Sequence, residues 1–154
     1  MGIDICGWVE ISDWGPENFE EEYAWTGVIR IAPLMYVCDV VSELLFGFSK
    51  RALCGEKLPY VPIAANRGIP SNPSQEVVSD MKSIAELEQR FGPGEFRGYT
   101  SIDISEIDAI DWARYEVDTT RPSGWWVLLR MIDLLRSDQD SINRGIRLVC
   151  WVCW

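Results

Sequence analysis

The chain contains no histidine, and this absence excludes several kinds of chemistry. Without an imidazole there is no Ser-His-Asp triad, no Cys-His pair, and no histidine metal ligand or proton carrier. Basic residues are scarce too: 14 Lys and Arg stand against 24 Asp and Glu, which gives a formal net charge of −10. Because nucleic acids and anionic membrane surfaces are bound by clustered Lys and Arg, this charge argues against both as ligands.

Long apolar runs are also missing. The longest charge-free apolar run, from Leu148 to Trp154, is far too short to cross a bilayer. The first residues, Met1 to Asp4, carry an acid early and no basic segment, unlike a secretory signal. Five cysteines without regular spacing are typical of reduced thiols. We therefore expect a cytoplasmic protein, and its 154 residues predict one domain spanning 1–154.

The pattern of hydrophobic residues predicts three strands. Residues 3–11 alternate between apolar side chains and a mixed second face, which is the pattern of a half-buried strand. Residues 23–32 predict a second, less regular strand. Residues 146–153 are apolar on both faces, so we expect this strand in the middle of a sheet.

Helical spacing of apolar residues predicts four helices. They cover residues 34–48, 74–91, about 103–111 and 123–135. Asp103 and Glu106 have the spacing of a capping box, and Ser123 is a suitable N-cap. A proline-rich loop over 55–73 separates the first two helices. The order of elements predicts an α+β fold: a small mixed or antiparallel sheet with N- and C-terminal strands, and three to four helices packed on it.

The motif from Cys150 to Cys153 has the C-x-x-C spacing of zinc and redox sites. In a strand, however, residues three apart point to opposite faces, so the two sulfurs diverge. The spacing therefore favours two packed core cysteines, and we expect no metal and no cofactor.

Tryptophan and carboxylates are the abundant residues that call for an explanation. One domain rarely buries eight tryptophans completely, and a Trp exposed beside acids is a good interface anchor. Trp14, Trp125 and Trp154 lie at a turn, a helix start and the end of the sequence, so we expect them to be exposed. The candidate partner-binding residues are Glu20, Glu21, Glu22, Asp103, Glu106, Asp108, Asp111, Trp14 and Trp125. The competing interpretation of the acids is a solvated helix face with a cap.

A second hypothesis places a small-ligand pocket, or a metal-dependent hydrolase site, around Asp4, Cys6, Glu10 and Arg67. The polar face of the first strand supplies three of these residues, and the Arg67 guanidinium could hold a phosphate or carboxylate. Asp4 and Glu10 lie about 20 Å apart along that strand, so other segments would have to complete the site. A third hypothesis is a structural subunit that oligomerises through its tryptophans.

Several blocks of the chain together resemble an uncharacterised family of small phage and actinobacterial proteins. The family typically opens with Met-Gly-x-Asp-Ile-x-x-x-x-Glu, and this chain has Met1-Gly2-Ile3-Asp4-Ile5-Cys6-Gly7-Trp8-Val9-Glu10. The remaining blocks are Leu45-Phe46-Gly47, the Arg67-Gly68-Ile69-Pro70 loop leading to Glu76-Val77, Thr100 to Trp112, and Ile146-Arg147-Leu148-Val149-Cys150-Trp151. The blocks follow the family's order along nearly the whole chain. Many family members have histidine where Cys6 stands and another near Tyr99, and this chain has neither.

The resemblance implies a phage or bacterial origin and a shared architecture, but no activity. Composition favours binding over catalysis, so we expect a non-enzymatic, Trp-rich inhibitor of the anti-defence or immunity type. Its partner would be a basic protein that handles nucleic acid, such as a host or toxin enzyme. The sequence leaves the oligomeric state open.

Overall fold

The computed structural model describes residues 4–12, 25–32, 40–118, 123–137 and 144–153. In chain order the elements are β1 (Asp4–Ser12), β2 (Trp25–Arg30), α1 (Val40–Phe46), α2 (Lys50–Leu53), α3 (Gln75–Phe91), β3 (Phe96–Asp103), α4 (Ile104–Asp108), a 3-10 helix (Trp112–Tyr115), α5 (Gly124–Ser137) and β4 (Ile146–Cys153). Within these ranges, no helix has both the length and the apolar character needed to cross a membrane.

The four strands form one antiparallel sheet in the order β2-β1-β4-β3. The two central strands, β1 and β4, lie side by side, with Ile5 opposite Val152 and Ile11 opposite Ile146. This arrangement confirms the predicted α+β class and the central position of the C-terminal strand. Of the two sheet types left open by the sequence, the antiparallel one is correct.

Both faces of the sheet are covered, and the alternation along β1 and β4 divides their side chains between two cores. On one face, Val9 and Leu148 pack with α1, α4 and α5 in the larger core. On the other face, Val149 and Trp151 pack against Val77 and Ile84 of α3. Covering on both sides explains why β4 is apolar on both faces.

Helix α3 follows its predicted bounds closely. The Ser74 hydroxyl accepts a hydrogen bond from the Val77 N–H at 3.3 Å, as an N-cap should, and the helix ends at Gly92 with φ 95°. On its inner side, Asp80 accepts a hydrogen bond of 2.8 Å from the Trp8 indole. This bond helps attach α3 to the sheet.

Several elements differ from the sequence prediction. Strand β3 was not predicted, because its register is interrupted between Arg97 and Thr100 and Gly98 has φ 70°, so hydrophobic alternation is lost. Helix α2 and the 3-10 helix are too short to show a hydrophobic period. Helix α4 ends at Asp108 rather than near residue 111 because the chain turns into the 3-10 helix. Residues 34–39 of the first predicted helix lie outside the described ranges.

Each edge of the sheet is interrupted or covered. The edge strand β2 has a bulge near Val28, and its Gly27 N–H donates to the Glu76 carboxylate of α3 at 3.0 Å. The edge strand β3 accepts a hydrogen bond at the Tyr99 carbonyl from the Gly68 N–H at 2.9 Å. Such devices reduce edge-to-edge pairing between molecules.

We predict that Gly7→Ala destabilises the fold severely. Gly7 has φ +142°, and a Cβ there would lie 2.0 Å from the Val149 carbonyl oxygen in the neighbouring strand. Backbone strain and overlap together should lower the free energy of unfolding by about 3–5 kcal/mol, measured by urea denaturation. Gly55→Ala is the control: φ is +87°, but nothing lies within 4 Å, so about 1–2 kcal/mol is expected. Equal losses in the two variants would contradict the role of the close approach.

Candidate protein-binding surface

The segment from 103 to 118, which we call the acidic segment, carries six carboxylates and one basic residue, Arg114. It runs through α4 and the 3-10 helix. Ile104, Ile107 and Val117 are buried, whereas five of the six acids are exposed. Because the buried residues anchor the segment to the core, its acids form an ordered surface rather than a loose tail.

The start of the acidic segment has the predicted capping box. The Glu106 carboxylate accepts a hydrogen bond of 3.1 Å from the Asp103 N–H, the reciprocal bond that defines the motif. This arrangement explains the acids at the first turn of α4 by local structure alone. It does not explain the acids further along, at Asp111, Glu116 and Asp118.

Arg67 and Glu106, which the sequence assigned to two different hypotheses, bind each other. Both guanidinium NH2 groups donate to the two Glu106 oxygens at 2.9 Å, and one also donates to the Ile63 carbonyl at 2.9 Å. These bonds to Arg67 lower the pKa of Glu106, and they raise the pKa of the Arg67 guanidinium. Arg67 is therefore engaged with the acidic segment.

A salt bridge joins the acidic segment to α5. An Arg136 nitrogen lies 2.8 Å from a carboxylate oxygen of Asp108. On the outer side of α5, Val127, Met131 and Leu134 have relative exposures of 51 %, 36 % and 71 %. Their spacing of four and three residues places them on one stripe, which we call the α5 stripe. It runs along the helix that Asp108 contacts.

Two half-buried tryptophans lie between the acidic segment and α5. The rings of Trp112 and Trp126 meet edge to face, with centroids 5.2 Å apart. They line a groove of about 310 Å³ together with Asp108, Arg130 and Asp133. Sequence reasoning missed this pair. The available signal was the position of each residue: Trp112 lies within the acidic segment, and Trp126 lies at the start of the last helix.

The expectation that Trp125 is exposed is wrong. Its relative exposure is 1 %, and its ring lies 5.7 Å from that of Phe46 in the core. The physical reason is its helical position, because Trp125 shares the inward stripe of Leu128 and Ile132. Within the described ranges its indole N–H has no hydrogen-bond partner. Trp126, one residue on, takes the half-buried position at the surface.

The predicted acids Glu20, Glu21 and Glu22 lie outside the described residues, as do Trp14 and Trp154. Their contribution to a binding surface stays a prediction. Of the predicted partner-binding residues, the structure brings together Asp103, Glu106, Asp108 and Asp111, which share one short stretch of surface.

The alternative pocket is not assembled among the residues that the structure describes. Asp4 is exposed at the start of β1, and Cys6 is half-buried one pleat further on. Glu10 lies at the other end of the strand with no exposed surface, and Arg67 is bound to Glu106. In the same ranges, no group of three or more His, Cys, Asp or Glu could hold a metal ion.

Glu10 instead forms a buried ion pair with Arg147 in the neighbouring strand. One carboxylate oxygen accepts from the Arg147 Nε at 2.5 Å, and the other accepts from the Ser74 N–H at 2.6 Å. The guanidinium also donates to the Asn72 side chain and carbonyl at 3.1 and 2.8 Å, and it stacks on the Trp25 ring. The sequence feature that could have revealed this pair is Arg147, because a lone Arg in a strand buried on both faces needs a carboxylate partner.

A second buried carboxylate, Glu43, anchors the loop after α1. It accepts hydrogen bonds from the Arg51 Nε at 2.8 Å and from the Tyr60 hydroxyl at 2.6 Å, and a second Arg51 nitrogen contacts it as well. These bonds, led by that of Arg51, lower the pKa of Glu43 to about 2. Burial, together with the Glu43 carboxylate, raises the pKa of Tyr60 to about 12.

The described cysteines Cys6, Cys54, Cys150 and Cys153 are free thiols. Cys150 is completely buried in the larger core, while Cys153 is half-buried and lies close to Cys6. The two cysteines of the C-x-x-C motif therefore diverge to opposite faces, as predicted. Cys54 is exposed.

We predict that Glu10→Gln destabilises the protein far more than Glu106→Gln. Glu10→Gln leaves the Arg147 guanidinium buried without a counter-charge, and such losses amount to about 3–5 kcal/mol. The Arg67–Glu106 pair has 38 % and 37 % of its side chains exposed, so its loss should cost less than about 1 kcal/mol. Both values come from urea unfolding at neutral pH. Similar values for the two variants would show that burial does not set the strength of the Glu10 pair.

We predict that Glu43 contributes to the acid sensitivity of the fold. Its pKa is about 2 in the folded chain and near 4.5 when unfolded, so its stabilising effect is complete above the unfolded value and is lost as pH falls towards 2. Glu43→Gln should be less stable than the wild type at pH 7, and the difference should shrink between about pH 5 and pH 2. Urea midpoints across this range measure it. A difference that does not change with pH would contradict the assignment.

Comparison of the chain with family models, with curated protein sequences and with solved structures returns no match. The resemblance to a phage and actinobacterial family therefore stays a prediction. The candidate surface depends on its own geometry: a carboxylate-rich segment and a Trp-lined groove meet where α4 contacts α5, and an exposed apolar stripe lies on the outer side of α5.

Proposed function

We propose that this chain is a non-enzymatic binding protein that antagonises a basic, nucleic-acid-handling protein in the cytoplasm of a bacterium or a phage-infected cell. The acidic segment, the Trp112–Trp126 groove and the α5 stripe form its contact surface. The observation that carries the proposal is the groove in which Trp112 meets Trp126 beside Asp108 and Asp133, because aromatic rings and carboxylates lie together there.

The composition of this surface supports protein binding. Stable interfaces have an aromatic or apolar centre and a polar rim, and Trp is enriched among the residues that dominate affinity. Here Trp112 and Trp126 line the groove, and Asp108 and Asp133 border it. The α5 stripe extends the apolar area away from the groove, since Leu134 is 71 % exposed.

The charge of the acidic segment supports a basic partner. Six carboxylates against one arginine give residues 103–118 a formal charge of −5, and −3 remains when Arg67 and Arg136, which bind Glu106 and Asp108, are counted with them. Carboxylates arranged on an ordered surface attract a cationic partner over a range of about one Debye length and increase its association rate. A protein that handles nucleic acid presents Lys and Arg for phosphate groups, so the same side chains can contact this surface.

The α5 stripe also favours a second candidate, a subunit that self-associates. Val127, Met131 and Leu134 would be covered if two copies packed α5 against α5. Like charge on the two acidic segments opposes this arrangement, which is why we prefer a basic partner. Size-exclusion chromatography with light scattering separates the two, since a monomer at about 100 μM contradicts self-association.

We predict that reversing charge on the acidic segment abolishes partner binding. The variant Asp111→Lys/Glu116→Lys is compared with Glu86→Lys/Glu95→Lys; all four residues are exposed, and both variants change the net charge from −10 to −6. Immobilised wild type and variants are incubated with bacterial lysate at about 50 mM and about 500 mM NaCl. Wild type and control should retain the same basic protein at low salt only, and the acidic-segment variant should lose it.

The captured protein is then purified and tested for binding to DNA and RNA. We expect the wild-type chain to inhibit that binding and Asp111→Lys/Glu116→Lys to have no effect.

Leu134→Ser tests the apolar contribution, because a side chain that is 71 % exposed can be changed without loss of packing. This variant should weaken capture at low salt. Retention of the same proteins by all variants, or of acidic proteins only, would overturn the proposal.

A further inference from the structure

A second concave region lies between the segment from 46 to 66 and strand β3. It is a cleft of about 660 Å³, within the range of small-molecule sites. Among its lining residues are Phe48, Leu53, Tyr60, Pro62, Lys57 and Arg97. The walls are therefore mainly aromatic and aliphatic, with charged groups added to them. The proposed function does not use this cleft.

The charge of the cleft lining is opposite to that of the chain. Among the residues that the structure describes, Lys57 and Arg97 line it together with Glu56, which gives these lining residues a formal charge of +1. The whole chain has a charge of −10. A cationic lining in such an acidic protein favours an anionic ligand, such as one with a carboxylate, sulfonate or phosphate group.

The walls of the cleft approach each other where only glycine fits. Gly98 has φ +70°, and a Cβ there would lie 2.7 Å from the Phe48 ring. Gly47 has φ +73°, and a Cβ there would lie 3.1 Å from Pro62. Asn66, which also lines the cleft, has φ 52°. Left-handed backbone at three lining residues costs free energy, and such strain is concentrated at functional sites.

Hydrogen bonds outside the cleft hold its walls in place. The Tyr60 hydroxyl donates to Glu43, which Arg51 also binds, so the ring of Tyr60 is fixed by an ionic cluster. The Ile63 N–H donates to the Leu44 carbonyl at 3.0 Å, which ties the loop to α1. A site whose lining is held by such surrounding contacts is pre-organised for a ligand.

We propose that this cleft binds a small molecule that has a flat apolar body and one anionic group, with the body against Phe48 and Tyr60 and the anion near Arg97 and Lys57. The volume fits one ligand of drug-like size rather than a polymer. This binding is independent of the proposed contact with a basic protein, which uses the acidic segment and α5.

The test uses 8-anilinonaphthalene-1-sulfonate, a flat apolar molecule with one sulfonate, whose fluorescence increases when it binds apolar sites. N-phenyl-1-naphthylamine has the same rings without the sulfonate and serves as the neutral comparison. We expect saturable binding of one sulfonate probe per folded chain, and weaker binding of the neutral compound. Perturbation of the Gly47 and Gly98 amide signals in an NMR titration would locate the probe, since both residues line the cleft.

Two variants and one control test the contacts. Arg97→Gln removes a lining charge and should weaken the sulfonate probe about tenfold or more, with little effect on the neutral compound. Arg90→Gln is the matched control, because Arg90 is also exposed but lies at the end of α3 and not in the cleft lining; its binding should be unchanged. Ala52→Trp places an indole into the cleft and should prevent binding.

Circular dichroism and the urea midpoint establish that each variant is folded. Absence of saturable binding to the wild type would overturn the proposal. So would equal affinity of wild type, Arg97→Gln and Ala52→Trp, because the probe would then lie elsewhere, for example on the α5 stripe. Equal weakening by Arg97→Gln and Arg90→Gln would show only the general effect of net charge and would also overturn it. None of these outcomes depends on capture of a protein partner.

Discussion

The rest of the fold depends on the buried ion pair of Glu10 and Arg147, because it connects the centre of the sheet to the helix that covers one of its faces. It joins the two central strands, and through Asn72 and Ser74 it joins them to the start of α3. A sheet covered on both faces leaves no water for a charge in its middle strands, so each group needs the other and every remaining polar atom needs a partner. The Trp25 ring stacked on the guanidinium extends this cluster to β2.

The proposed protein-binding surface and the proposed ligand cleft lie in different parts of this fold. One face of the sheet is closed by α3, while the opposite face supports α1, α4 and α5 over the larger core. The acidic segment and the α5 stripe lie on the outside of this second layer, and the Asp108–Arg136 salt bridge joins the acidic segment to α5. The cleft beside Phe48 and Arg97 is formed at the β3 edge instead. The two proposed ligands, a protein partner and a small molecule, would therefore be bound by different parts of the fold.

Much of the fold could be predicted from the sequence, because hydrophobic period and capping residues act locally. The strands β1 and β4, helix α3 with its Ser74 cap, and the capping box of Asp103 and Glu106 all follow from such patterns. Strand β3 could not be predicted, since a bulge and Gly98 interrupt its alternation. Trp125 was predicted to be exposed because it lies at a helix start, but its place on the inward stripe buries it. For the candidate site, the acids of the segment were recognised, but the Trp112–Trp126 pair was not.

The sequence by itself determined the α+β class, the central place of β4, the divergence of Cys150 and Cys153, and the acidic character of residues 103–118. Each of these depends on residue type and on spacing within one element. Only the tertiary structure decided that Arg67 binds Glu106, that Glu10 binds Arg147, and that Trp112 meets Trp126. Such contacts join residues far apart in the chain, and their formation depends on how the packed helices and strands place the side chains. For Glu10 and Arg147, burial then requires that the two charges pair.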